Sequence, residues 1–202
     1  KLLAGFYEPS KGNIVIDGLK VNKYKRHDYW KNISILFQDF EDYDLTAQES
    51  IGYGNVEKVN NLVEVRKYAK MTDIDQWIES LPLKYKNPLS RHYEKGVSPS
   101  FGQWQRIGLA RTLIKESQIL VLDEPTSNVD PQAEEDIFNQ VLKLGKEKIL
   151  VFISHRFSTV RRSDKILLLK DGKITEQGTH EHLMKLDKKY AHLFHLQAKS
   201  YQ

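Results

Sequence analysis

The apolar run Ile119-Leu120-Val121-Leu122 delivers two adjacent carboxylates, Asp123 and Glu124, followed by Pro125. Neighbouring acids at the end of a buried strand suit a magnesium nucleotide. The first can hold the hard cation directly or through water, and the second can orient or deprotonate an attacking water. For a lone pair the commoner fate is a solvated strand end. Ser100 and Gln103 have capping-box spacing, so a helix begins at Ser100, and the amides of Phe101, Gly102 and Gln103, backed by the helix dipole, make an anion-binding end. Alone, this pair is an ordinary structural cap. Gln38 closes the apolar run Ile33 to Phe37, and His155 follows the run Ile149 to Ile153. In open α/β sheets ligands sit outside the carboxyl ends of the strands, so the convergence of Gln38, Asp123 with Glu124, and His155 on such ends is the main physical clue.

These groups need a scaffold, and the patterning supplies one. Ile14-Val15-Ile16 before Asp17-Gly18 reads as a short strand and a turn. From about Asp39 to Pro88 the pattern becomes acidic turns and helical segments, with a capping-box pair at Thr46 and Glu49 and helical spacing of Leu62, Val65 and Ala69. The helix opening at Ser100 has one apolar face, Trp104, Ile107, Ala110, Leu113 and Ile114. Asp130-Pro131 opens another, with Ile137, Phe138, Val141 and Leu142 inward and Gly145 closing it. The continuous apolar runs ending at Leu122 and Ile153 read as buried parallel strands. Asp171-Gly172 between Lys165 to Lys170 and Lys173 to Gln177 signals a two-residue hairpin. The tail, His180 to Ala198, is amphipathic and reads as helical. The fold class is α/β, a mainly parallel sheet with helices, a helical insertion and an edge hairpin.

Composition limits the alternatives. The 202 residues suffice for one core, and 40% hydrophobic with 29% charged residues describes a globular chain. The +4 formal charge is too mild and too dispersed to announce a nucleic-acid partner. With zero cysteines, disulfides, Cys-ligated zinc and thiol catalysis fall away. No apolar run approaches the ~20 residues that span a bilayer. The pairs His180/His182 and His192/His195 read as a solvated helix face, not a metal site. Trp30 and Trp104 read as packing residues.

The order Gln38, then Ser100-Phe101-Gly102-Gln103-Trp104-Gln105-Arg106, then Ile119 through Ser127, then Asn128-Val129-Asp130, then Ile153-Ser154-His155-Arg156 resembles the nucleotide-binding domain of ABC transporters. The matching parts of that family are, in turn, the Q-loop, signature motif, Walker B strand, D-loop and switch histidine. Thr46, Glu49, Ile51, Tyr53 and Gly54, with the stretch from Asp171 to His180, resemble the exporter branch. The resemblance implies a P-loop NTPase-like domain with residues 1–38 and 116–202 as its RecA-like core and about 39–115 as a helical subdomain carrying the signature. It also implies ATP and Mg2+ as cofactors. Glu124 would be the general base or water-orienting carboxylate, Asp123 the magnesium-side acid, Gln38 a sensor of magnesium and the attacking water, and His155 a contact to the terminal phosphate. Ser100, Gly102 and Gln103 would meet nucleotide across a head-to-tail dimer of two such domains, with Asp130 linking the two sites. The implied partners are a second nucleotide-binding domain and a transmembrane domain, upstream in the same polypeptide, at the cytoplasmic face of the cell membrane; no nucleic acid is expected.

Two departures stand out. The phosphate cradle G-x-x-x-x-G-K-[ST], whose Ser or Thr would complete the magnesium site, is absent from the sequence, and Lys1 is followed by Leu2. By resemblance, Lys1 to Gly5 matches the helix after that cradle. The chain is therefore expected to lack upstream strand, cradle and adenine-stacking aromatic, to bind ATP poorly and not to turn it over alone. In the signature, Pro99 and Phe101 replace the family's Leu and Gly. Pro99 lies outside the helix, where its missing amide does no harm. Two other functions compete: a soluble ABC-type ATPase acting outside transport, and a non-catalytic interaction module.

Overall fold

The computed structural model describes residues 1–39, 43–125, 131–144 and 148–199. The chain divides into two compact units, Lys1–Val151 and Phe152–Gln202.

In the first unit, residues 1–6 close like the last turn of a helix. Gly5 N–H donates to Leu2 O (3.0 Å) and Phe6 N–H to Lys1 O (3.3 Å), the paired bonds that finish helices on a left-handed glycine. Gly5 has φ +69°. Strands β1 (Val15–Ile16) and β2 (Leu19–Lys20) form an antiparallel hairpin. Helix α1 (Arg26–Lys31) leads into strand β3 (Ile33–Leu36). Tyr29 of α1 donates its hydroxyl to Leu3 O, and Trp30 Nε1 donates to Ala4 O (2.9 Å), tying the first turn to α1. The indole N–H of Trp30 is thus tied down, but the residue is 38% exposed, against the expectation of a packed side chain.

A helical stretch follows. Helix α2 (Ala47–Gly52) starts at Thr46, where the expected capping box forms in full with Glu49. Helices α3 (Leu62–Met71) and α4 (Asp75–Ser80) come next, α3 capped by the Asn61 side chain. Helix α5 (Phe101–Leu113) begins on the Ser100 cap and packs against α2 and α3. The apolar positions read from spacing, Trp104, Ile107, Ala110, Leu113 and Ile114, are all buried, as are Val65 and Ala69 of α3 and Ile51 of α2.

Strand β4 (Ile119–Asp123) runs parallel to β3, with Ile33 opposite Ile119 and Leu36 opposite Leu122. Helix α6 (Pro131–Leu144) buries Ile137, Phe138 and Val141 and leaves Leu142 half-buried. Strand β5 (Ile149–Ile153) completes the order β3-β4-β5. The expectation of a buried β5 needs correction. Ile149 is 60% and Ile153 49% exposed, while Leu150, Val151 and Phe152 between them are half-buried, because burial depends on what packs over the faces of a strand and not on its own apolar run. The closing Gly145 and the capping Asp130 lie outside the described residues.

The second unit contains helix α7 (Phe157–Val160), the hairpin β6 (Ile166–Lys170) and β7 (Lys173–Gly178), and helices α8 (His180–Leu186) and α9 (Lys189–Lys199). Asp171 and Gly172 both take positive φ, 51° and 73°, the geometry of the tight turn that Asp-Gly favours. The hairpin is a separate two-stranded sheet, with Thr175 bulged between the Leu168–Glu176 and Leu169–Ile174 pairs. The tail is two helices, since Asp187 turns left-handed at φ 48° and ends α8. Ile166, Leu183 and Tyr190 form this unit's core, with Phe157 and Val160 packed on it.

Candidate active site

Because Leu36 sits opposite Leu122 in a parallel pair, β3 and β4 end at the same level. Gln38, two residues beyond Leu36, therefore leaves the sheet at the same end as Glu124, two residues beyond Leu122. Gln38 is exposed, while Asp123 and Glu124 are half-buried. The Asp123 carboxyl is held above its usual range, first by burial, then by the charge of Glu124, with Asp39 adding to it. Negative charge thus collects at this sheet end, with Asp39 as a member the sequence reading missed. Its available signal was adjacency to Gln38.

Glu124 also carries an unusual backbone, left-handed at φ 48°. An L-residue there costs roughly 1–2 kcal/mol, so neighbouring contacts must hold it. One comes from α5: Gln105, only 3% exposed, donates from Nε2 to Glu124 O at 2.9 Å. Sequence reasoning took Gln105 only as a member of the signature. The sign of a buried role was its place four residues before Leu109, on the same inward helical face.

At the start of α5, Ser100 N–H donates to Gln103 Oε1 (2.7 Å) and Gln103 N–H to Ser100 Oγ (3.3 Å). This corrects the expectation that the Gln103 amide is open to an anion: the cap uses it. The Ser100 hydroxyl, exposed, keeps its own hydrogen to donate, and Gly102, the second residue of the helix, is half-buried. Gln105 comes five positions after Ser100, so the cap stands about 7.5 Å along the axis from the contact that reaches Glu124. Pro99 is buried just outside the helix, where no intrahelical amide is needed.

His155, in the second unit, follows β5 and is exposed. Its carbonyl accepts from Gln197 Nε2 at 3.0 Å. Asp130 lies outside the described residues.

Among the described residues no group of three or more His, Cys, Asp or Glu could cage a metal ion. The neighbouring carboxylates Asp123 and Glu124 instead match magnesium, which takes one or two carboxylates and shares its remaining positions with water and substrate phosphates. Adjacent acids at the carboxyl end of β4, with Gln38 leaving the same end of the sheet, are a donor set that fits a magnesium-bound polyphosphate.

The ABC transporter family profile matches residues 1–127. The chain is 36% identical over 185 residues to the subtilin transport ATP-binding protein SpaT of Bacillus subtilis, covering 92% of this chain and 30% of that protein. It is 35% identical over 196 residues to an ATP-dependent lipid A-core flippase of Legionella pneumophila (strain Paris), covering 97% of this chain and 32% of that one. Among solved structures, a bacterial Atm1-family ABC exporter with ATP bound superimposes with a TM-score of 0.89 at 34% identity, covering 98% of this chain and 34% of the other. The chain thus spans about a third of the length of these relatives.

Proposed function

This chain belongs to the ABC transporter family, and from that premise we propose that it is the ATP-hydrolysing part of an exporter, powering transport through a membrane-embedded partner at the cytoplasmic face. The observation that carries this reading is the adjacent carboxylate pair Asp123 and Glu124 at the carboxyl end of β4, in parallel register with the strand that ends before Gln38. The α/β fold, likeness to an ATP-bound exporter and the transport functions in the relatives' names support it.

Each residue then has a task. Glu124, on a backbone set by Gln105, accepts the proton of the attacking water or orients it. Asp123 faces the magnesium position, and Gln38, leaving the same sheet end, reports on water and cation there. His155 contacts the terminal phosphate. The Ser100 hydroxyl and Gly102 meet the nucleotide held by a second domain, and Asp130 links the paired sites. What bound magnesium supplies is neutralisation of charge on the terminal phosphates. Residues 1–38 and 116–202 serve as the catalytic core and about 39–115 as the helical subdomain. The sequence holds no G-x-x-x-x-G-K-[ST] segment, so a cradle for the phosphates is not among these 202 residues.

The test is Glu124→Gln in the full-length protein. Loss of a general base lowers turnover by about 10²- to 10⁴-fold, so phosphate release should fall by that factor while ATP still binds. Unchanged hydrolysis would remove Glu124 from the chemistry and this reading with it.

A further inference from the structure

The tail that composition marks as an unremarkable amphipathic helix contacts the segment just after β5. Gln197 of α9 uses both ends of its amide on that segment: Nε2 donates to His155 O at 3.0 Å, and Oε1 accepts from Phe157 N–H at 2.7 Å. One planar group thereby ties the peptides on either side of Arg156. Within the same turn, Arg156 N–H donates to Ser154 Oγ at 3.0 Å. The ring of Phe157 is fixed by the same helix, meeting Tyr190 edge-on at 5.2 Å and Phe194 at 5.7 Å. The main chain bearing His155 is thus held by a side chain 42 residues away in sequence.

The geometry points to Gln197 as a positioning residue for His155, making helix α9 a strut that sets where the imidazole stands. An exposed side chain at a strand end has many rotamers and a pliable backbone, and a contact to a terminal phosphate demands one placement. A side-chain amide suits this task, because it donates to the carbonyl and accepts from the amide at once. The catalytic half of this inference rests on the proposed role of His155; the structural half does not.

Two variants separate the parts. Gln197→Met keeps the length and loses both bonds, while Gln197→Glu keeps the acceptor for Phe157 N–H and loses the donor to His155 O. In Gln197→Met, hydrogen exchange at the Phe157 amide should accelerate by about tenfold, the equivalent of one lost hydrogen bond. In Gln197→Glu it should stay protected. In the full-length protein, Gln197→Met should lower kcat for ATP hydrolysis with KM unchanged, and should lower it no further when His155→Ala is already present. A purely structural tail would depress turnover equally in both backgrounds, and that result, or unaltered exchange at Phe157, overturns the inference. A full-length protein that hydrolyses no ATP would refute the proposed function, and the exchange measurement would still decide whether Gln197 holds the turn.

Discussion

Gly54→Ala should cost this chain about 3 kcal/mol, the upper end of the range for forcing a carbon into a filled core. A Cβ at Gly54 would lie 1.8 Å from the carbonyl oxygen of Arg111 and 2.6 Å from Ile114 Cγ2. An ordinary carbon–oxygen approach is about 3.3 Å, so the backbone after α2 and that of α5 must part by about 1.5 Å. Neither side can yield cheaply. The Arg111 carbonyl belongs to a hydrogen-bonded helix, and the Arg111 side chain is anchored back to the α2 side, donating from Nε to Ser50 O at 2.5 Å and lying 4.6 Å from the Tyr43 ring centroid. Separation therefore strains those contacts as well. For a chain of this size 3 kcal/mol lowers Tm by about 6–12 °C. Urea unfolding followed by tryptophan fluorescence reads the loss, since Trp104 is buried on α5. Gly18→Ala is the control: nothing lies within 4 Å of its Cβ position and only its φ of +77° resists, so it should cost about 1 kcal/mol. If Gly54→Ala is as mild as Gly18→Ala, the close approach of α2 and α5 is not a real constraint.

Two further outcomes follow from named contacts. Gln105→Met keeps side-chain bulk but removes the donor to Glu124 O, and should lower stability by about 1 kcal/mol in the same urea assay; a loss within error would mean that Gln105 does not support the left-handed turn. Glu116 accepts from Lys58 Nζ (2.6 Å) and Tyr68 OH (2.5 Å), and these bonds hold its carboxyl below the usual 4.5. Its folded value is depressed, so its contribution is complete above the unfolded value and disappears as pH falls through the folded one. Wild type should lose stability more steeply than Glu116→Gln as pH drops below 4.5, by a modest amount because the carboxyl is 46% exposed. Parallel pH curves would refute the coupling.

Much of the scaffold was legible without coordinates because its signals are local. The Thr46 and Ser100 caps each need only a partner three residues on, the Asp171-Gly172 turn needs only two residues that tolerate positive φ, and the apolar run before Asp123 needs only its own residues to declare a strand. The positions of Gln38, Asp123, Glu124 and His155 at or just beyond strand ends were legible for the same reason, each following a short apolar run.

What tertiary structure alone decided are the contacts between distant residues. The apolar run of β5 reads as interior, yet what packs over the faces of a strand determines burial, and Ile149 and Ile153 at its ends are exposed. Gln105 meets Glu124 across 19 residues and Gln197 meets His155 across 42, and nothing in either glutamine's immediate surroundings names the carbonyl it binds. A hydrogen bond is satisfied by whichever acceptor the fold brings within about 3 Å. The residue type therefore records that a partner is needed, and the packing of α5 and α9 determines which one it is.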